Sequence, residues 1–453
     1  MSGGTVTLRG GTLALPPDAN HPEVWLAEGD LQIVDGEITA IGAVKQDRGE
    51  VIDARHLLVI PGLIDPQVHF RDPGFPHKED LGSGSRAAAA GGVTAFLEMP
   101  NTDPPTTSRA RLDDKLATAA AKSSVDFGFF IGATPDNLDE LLGIDQAPDV
   151  CGIKIFMGSS TGSLLVDDRV ALDRIFGHGN KLIAVHAEDE ARLRARKAAF
   201  QGETDVAKHS EIRDAEAARL ASSLALELSE KYQRRLHILH LSTKDEVELL
   251  RAHGKGQGRV TAEVTPQHLL LTAPEIYQRL GTKAQMNPPL RSAEHAAALW
   301  SGLKDGTLDL IATDHAPHTL EEKAKGFGAA PSGMPGVETS LAAMLDAAHR
   351  GLCTVEQVVR WMSHAPAKAY RIEKKGDLRV GYDGDFALVD LHKVRRVEDQ
   401  KIQSRVGWNP FEGVPLQGWP IATFLRGTSV YRDREIQPAV RGKPLRFTAP
   451  SRS

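Results

Sequence analysis

Cysteine is nearly absent: Cys151 and Cys353 are the only two in 453 residues. That excludes a disulfide framework and any cysteine-built zinc or iron–sulfur centre, and a reducing compartment is the default expectation. Aromatic residues are sparse at 5% and do not interleave with basic ones, so the stacking platform of a single-strand nucleic-acid binder is missing. Neither sign of charge dominates, with 54 basic against 60 acidic side chains and a formal net charge of −6. No broad basic field is available for nucleic acid or an anionic membrane. No apolar run reaches membrane-spanning length, and the start MSGGTVTLRGGTLALP lacks a basic-then-apolar leader. The expectation is a cytoplasmic protein acting on a small molecule, with neither nucleic acid nor membrane as a partner. At 41% hydrophobic and 25% charged residues, the chain has ordinary globular composition and length enough for one large core plus a smaller unit.

The first 56 residues carry short alternating runs such as VWLAEGDLQIVDGEITAIG, punctuated by Gly and Asp, the pattern of a small β-rich unit. From residue 57 the rhythm changes. Apolar strand candidates at 57–65, 92–99, 126–133, 150–158, 181–187, 236–242, 259–265 and 308–314 alternate with helical patterns such as 108–123, 213–233, 244–254 and 293–306. Eight strands with intervening helices predict a closed TIM-like (β/α)8 barrel over 57–375. No GxGxxG opens a first βα unit, which argues against an open doubly wound sheet. Residues 376–453 again look β-rich, so 1–56 and 376–453 are expected to pair into one small flanking β-sandwich domain built from both termini.

Polar residues gather at the ends of the strand candidates. His69 and Arg71 follow the first, Asn101 the second, Lys154 lies in the fourth, His186 in the fifth, His240 in the sixth and Asp314 in the eighth. In a barrel those ends converge on one mouth, where three imidazoles and a carboxylate suit a divalent cation such as zinc. His237 is expected to face away from His240 on an alternating strand and to pack against the helical layer. Lys154 sits inside the apolar run IKIF, where a bare ammonium is poorly solvated. It is expected either to pair with a carboxylate or to carry carbon dioxide as a carbamate, an anionic oxygen ligand able to bridge two cations.

The blocks DPQVHFRDPG (65–74), EMPNTDP (98–104), VHAED (185–189), HILHLST (237–243), TAEVTPQHLLL (261–271), MNPPLR (286–291), ATDHAPHTLEEK (312–323) and NPFEGVPLQGWP (409–420) resemble, in order, those of the cyclic amidohydrolases, and within them the dihydroorotases. The resemblance spans nearly the whole chain. It implies one or two zinc ions per subunit, with His69 and Asp314 as ligands of a more buried ion, His186 and His240 of a more exposed one, and a carboxylated Lys154 between them. It further implies reversible hydrolysis of a ring amide in pyrimidine biosynthesis, with Asp314 moving the proton from the attacking water to the ring nitrogen. A homodimer or larger homo-oligomer is expected.

One position departs from the pattern. The family presents His-x-His in the first strand, whereas this chain has Gln67-Val68-His69, and an amide oxygen is a neutral, weaker donor than imidazole. A weakened or lost ligand at Gln67 leaves open a one-metal enzyme or a non-catalytic partner of another pyrimidine-pathway enzyme. Arg71, Asn101, Asn287 and His318 are expected to bind substrate, the guanidinium offering a bidentate fork for a ring carboxylate. Hydantoinases carry a Tyr five residues after the bridging Lys where this chain has Ser159, and allantoinase remains an alternative. The Gly- and Pro-containing segment 320–336 is expected to border the pocket as a mobile lid.

Overall fold

The computed structural model describes residues 3–160, 164–254, 258–437 and 440–448. Five strands open the chain: β1 (Val6–Leu15), β2 (Trp25–Val34), β3 (Glu37–Gly42), β4 (Glu50–Asp53) and β5 (Leu58–Pro61). Eight further strands follow: β6 (Leu63–Val68), β7 (Val93–Glu98), β8 (Asp126–Gly132), β9 (Val150–Phe156), β10 (Ile183–His186), β11 (Leu236–Ile238), β12 (Val260–Val264) and β13 (Leu310–Ile311). They pair in sequence order as one parallel sheet. An isolated parallel bridge between Val68 and His315, with the His69 N–H donating to His315 O at 2.8 Å, joins the first strand to the eighth and closes the barrel. Every residue of β7, β8 and β9 is buried, as strands covered on both faces must be.

Four more strands, β14 (Phe386–Arg396), β15 (Pro415–Leu425), β16 (Thr428–Arg432) and β17 (Glu435–Ile436), join β1–β5 in a nine-stranded mixed sheet. The two ends of the chain meet where β5 pairs antiparallel with β14 and parallel with β1. This sheet folds over a core of its own that includes Leu8, Leu31, Ile33, Val59 and Phe424. Residues 58–61, expected to open the first barrel strand, thus belong to the flanking sheet. The chain crosses between sheets at Gly62, whose N–H donates to Asp385 O at 2.9 Å and where a Cβ would lie 2.1 Å from the Thr94 hydroxyl.

The last described segment leaves the flanking sheet and runs beneath the barrel, where the Leu445 and Phe447 N–H groups donate to Phe127 O and Pro148 O, each at 2.8 Å. Leu445 and Phe447 cover the barrel interior together with Phe130, Tyr370 and Ile372. Apolar strand interiors exposed at that end need such a cover.

The expected helices are present at Arg109–Lys122, Ala215–Tyr232, Lys244–His253 and Ala293–Lys304. An additional one, Leu81–Ala90, follows β6 despite its two glycines, started by a reciprocal Asp80–Ser83 cap. Gly84 has a packing reason: a Cβ there would lie 2.5 Å from the Phe70 ring. Two effects oppose each other on Gly84→Ala, a helix-propensity gain of about 1 kcal/mol and an overpacking cost of about 1–3 kcal/mol. At 2.5 Å against a buried ring the second should win, and urea denaturation is expected to show a net loss. An unchanged or higher midpoint would show that the ring yields.

Candidate metal centre at the barrel mouth

The closing seam of the barrel builds one side of the site. His69 Nε2 lies 3.1 Å from Asp314 Oδ1, and the Gln67 amide donates to the same oxygen at 3.2 Å. The His69 Nδ1–H donates to Asn101 Oδ1 at 2.8 Å, which fixes the tautomer that leaves Nε2 with its lone pair toward Asp314. Below them, Asp65 accepts from the Thr313 backbone and hydroxyl at 3.1 and 2.5 Å, so the two strands are cross-tied just beneath the mouth.

The other side comes from strands five and six. His186 Nδ1 and His240 Nε2 approach to 3.0 Å with their rings nearly perpendicular. His186 Nε2 lies 2.9 Å from Glu188 Oε2, too oblique for a hydrogen bond, and Glu188 is itself held by the Arg213 guanidinium. Burial pushes His69 and His186 below the ordinary imidazole range and His240 well below it. All three are therefore neutral near pH 7, the form that binds a cation.

His237 corrects the sequence expectation. It contacts the Tyr370 ring inside the barrel and approaches Glu263 Oε2 to 2.9 Å, so it faces the interior and not the helices. Leu239 also belongs to the interior cluster, and strict alternation would turn His240 outward. A left-handed φ of 35° at His240 swings its ring into the mouth instead. Arg71 and Asp314, with φ of 63° and 46°, are placed the same way; strained backbone at converging polar groups is the pattern of a functional site.

Lys154 is buried between the two sides. Its amine lies 4.4 Å from the Phe156 ring centroid and has no carboxylate partner among the described residues. Burial brings it down to about 7, so a large part of it is neutral and nucleophilic at physiological pH.

These donors fit divalent cations. Two atoms bound to one tetrahedral zinc at about 2.0–2.1 Å stand about 3.3 Å apart, close to the 3.0 Å of the His186–His240 pair and the 3.1 Å of His69–Asp314. Gln67 Oε1 and His240 Nδ1 are buried without hydrogen-bond partners. A second group able to chelate a cation, Asp126, Asp383 and Asp385, lies away from the mouth. There the Lys375 ammonium reaches all three carboxylates at 2.5–2.8 Å and Arg426 binds Asp126. That group works in this structure as an ion-pair clamp joining β8 to the flanking sheet.

Of the residues expected at the site, Gln67, His69, Arg71, Asn101, Lys154, His186, His240, Asn287 and Asp314 all line one cavity. His318 does not. It stands behind Arg71, accepting from Lys78 Nζ on Nδ1 at 3.1 Å and donating from Nε2 to Ser332 O at 3.0 Å. Arg71 spends Nε on Pro317 O at 3.3 Å. Asp72 pairs with Lys122 and Glu98 with Lys115; the charges of Asp314, Glu322 and Glu79 also act on the buried guanidinium, which forms no ion pair among the described residues.

Asn287 accepts from His209 at 3.0 Å and donates to Ser160 at 3.4 Å. Phe156, Ser160, Ala316, Ser332 and Gly333 complete the lining. Their types carry no ligand signal in sequence, and Glu188, two residues after His186, was not singled out although it lies beside that imidazole. Ser160, Asn287 and Ser332 also open onto an outer cavity of ≈ 490 Å³ lined by Phe200, His209 and Phe327. Segment 320–336 borders both spaces, and Lys323 Nζ fastens it by donating to Gln285 O, Pro331 O and Gly333 O at 2.9–3.0 Å. The fastening reflects the buried lysine, which composition had not revealed.

A model of the amidohydrolase family matches residues 168–430. The chain is similar to a dihydroorotase of Halobacterium salinarum, 40% identical over 93% of this chain and 98% of the relative. It is also similar to an allantoinase of Streptomyces avermitilis, 36% identical over 96% of this chain and 97% of the relative. Among solved structures, an L-hydantoinase from Arthrobacter aurescens superposes with a TM-score of 0.90 at 31% identity, covering 96% of this chain and 98% of that one.

The Gln67 amide gives the seam side one imidazole where a second histidine would give two, and amide oxygen is the poorer donor. Titrating metal-free protein with zinc is expected to give one tight and one distinctly weaker site, with Gln67→His tightening the weaker. Two equally tight sites, unchanged by Gln67→His, would contradict this reading of the position.

Proposed function

From the premise that this chain belongs to the amidohydrolase family, as a hydrolase of cyclic amides or ureides, we propose that its substrate ring carries an anionic group. The candidate is (S)-dihydroorotate, opened reversibly to N-carbamoyl-L-aspartate. The observation that carries the reading is Arg71: a guanidinium lining the mouth, brought down to about 10 by burial against the more distant charges of Asp314, Glu98, Glu322 and Glu79, with no ion pair to any carboxylate among the described residues. A planar carboxylate accepts two parallel N–H groups from such a fork, and an unpaired buried cation is costly until one arrives.

His69 and Asp314 hold one cation in this proposal, His186 and His240 the other, and Gln67 Oε1 is a weak donor to the first. Carbon dioxide would add to the Lys154 amine, forming an N–C bond with loss of a proton, and the carbamate would offer anionic oxygens to cations held by either pair. Zinc held there supplies Lewis acidity toward the ring carbonyl and toward water. Asp314 accepts the proton of the attacking water as its hydroxyl adds to the carbonyl carbon, then delivers that proton to the ring nitrogen as the C–N bond breaks. Asn101 keeps the His69 ring oriented, Asn287 contacts the ring from the outer side, and His318 positions Arg71.

A second reading, a ring with a bulkier neutral substituent such as allantoin, is favoured by the ≈ 490 Å³ outer cavity, more space than a carboxylate needs. Arg71→Met separates the two. On dihydroorotate it is expected to cost about 2–5 kcal/mol of binding, as truncating one partner of a buried charge pair does, while unsubstituted dihydrouracil is hydrolysed as before. Equal losses on both rings would remove Arg71 from carboxylate recognition.

A further inference from the structure

The barrel end opposite the mouth carries a second polar cavity, of ≈ 550 Å³. Arg235 and Arg259 enter it from the residues just before β11 and β12, and Arg360, Lys368 and Arg371 from the helical segment that follows the barrel. Arg259 pairs with Glu230 and Arg360 with Glu23, both at 3.1 Å. Arg235 donates to Ala369 O at 2.6 Å. Neither Arg235, Lys368 nor Arg371 has a carboxylate partner among the described residues. Asp309 is the one acid in the lining, accepting the Ala262 N–H at 2.8 Å.

Three cations without carboxylate partners thus share one concavity, and Arg259 Nε is buried there without a hydrogen bond. Burial and the charge of Arg371 bring Arg235 down to about 10, which marks these two guanidinium groups as repelling neighbours. Such a grouping is relieved by an anion with several oxygens. Leu182, Val260 and Ala369 add an apolar wall beside the cations, and the volume lies within the range of about 300–1,000 Å³ usual for small-molecule sites.

We propose that this cavity is a second binding site, separate from the barrel mouth, that takes a nucleotide by its phosphate chain, the apolar wall seating the base.

Isothermal titration calorimetry on the full-length, metal-loaded protein tests this with adenosine triphosphate, inorganic tripolyphosphate and adenosine. Both phosphate probes are expected to bind, more weakly at higher salt, and adenosine alone not to. Tighter binding of the nucleotide than of tripolyphosphate supports seating of the base, whereas equal affinities overturn that part and leave a polyphosphate site. Arg235→Gln and Lys368→Glu should each raise Kd by at least about tenfold, equivalent to 1.4 kcal/mol. Lys368 is exposed, so its reversal keeps the test decisive if the Arg235 variant fails to fold. No heat with either phosphate probe, or a Kd unchanged by Lys368→Glu, would overturn the proposal.

Discussion

The structure depends on one closure: the first barrel strand lying parallel to the eighth. The Val68–His315 bridge and the His69 N–H bond to His315 O set the register of that seam. The register places Gln67 and His69 against Asp314, residues some 245 positions apart in sequence. The Asp65–Thr313 bonds fasten the same strands one layer lower. A slip of one residue would turn these side chains to the helical face, so the site and the fold are specified by the same hydrogen bonds.

A second regularity concerns buried cations. Lys115 is matched by Glu98, Arg213 by Glu188, and Lys375 by three carboxylates. Lys323 and Arg291 spend their donors chiefly on carbonyl oxygens. At the mouth the pattern breaks, since Arg71 and Lys154 have no carboxylate partner among the described residues and Gln67 Oε1 has no hydrogen bond at all. Leaving such groups uncompensated is costly, a cost that the proposed substrate carboxylate and metal ions would offset. The clamp at Asp126 shows the contrast, because there a lysine already occupies the centre of the carboxylates.

The barrel was legible because fully buried parallel strands read as apolar runs and the intervening helices as amphipathic ones. The side chains that converge on the mouth were legible as polar residues at the ends of those runs. What escaped was local backbone geometry. Period-two alternation put His237 on the wrong side, because the interior includes both His237 and Leu239 and only the left-handed turn at His240 restores a histidine to the mouth. The helix at 81–90 was hidden by two glycines, one of which, Gly84, serves a tertiary purpose, close approach to Phe70. The strap formed by residues 442–448 beneath the barrel was hidden for the same reason. His318 was expected to touch substrate, but the turn after Asp314 buries it behind Arg71.

The central claim is that an unmatched guanidinium beside two cation-binding pairs selects an anionic ring for hydrolysis. Its most direct test is kcat/KM for dihydroorotate, allantoin, hydantoin and dihydrouracil, measured side by side on unmodified protein of known metal content. The account predicts that dihydroorotate is preferred over dihydrouracil by at least about a hundredfold, the factor given by roughly 2.7 kcal/mol of charge-assisted binding. Faster turnover of allantoin, hydantoin or dihydrouracil by fully metal-loaded protein would contradict it.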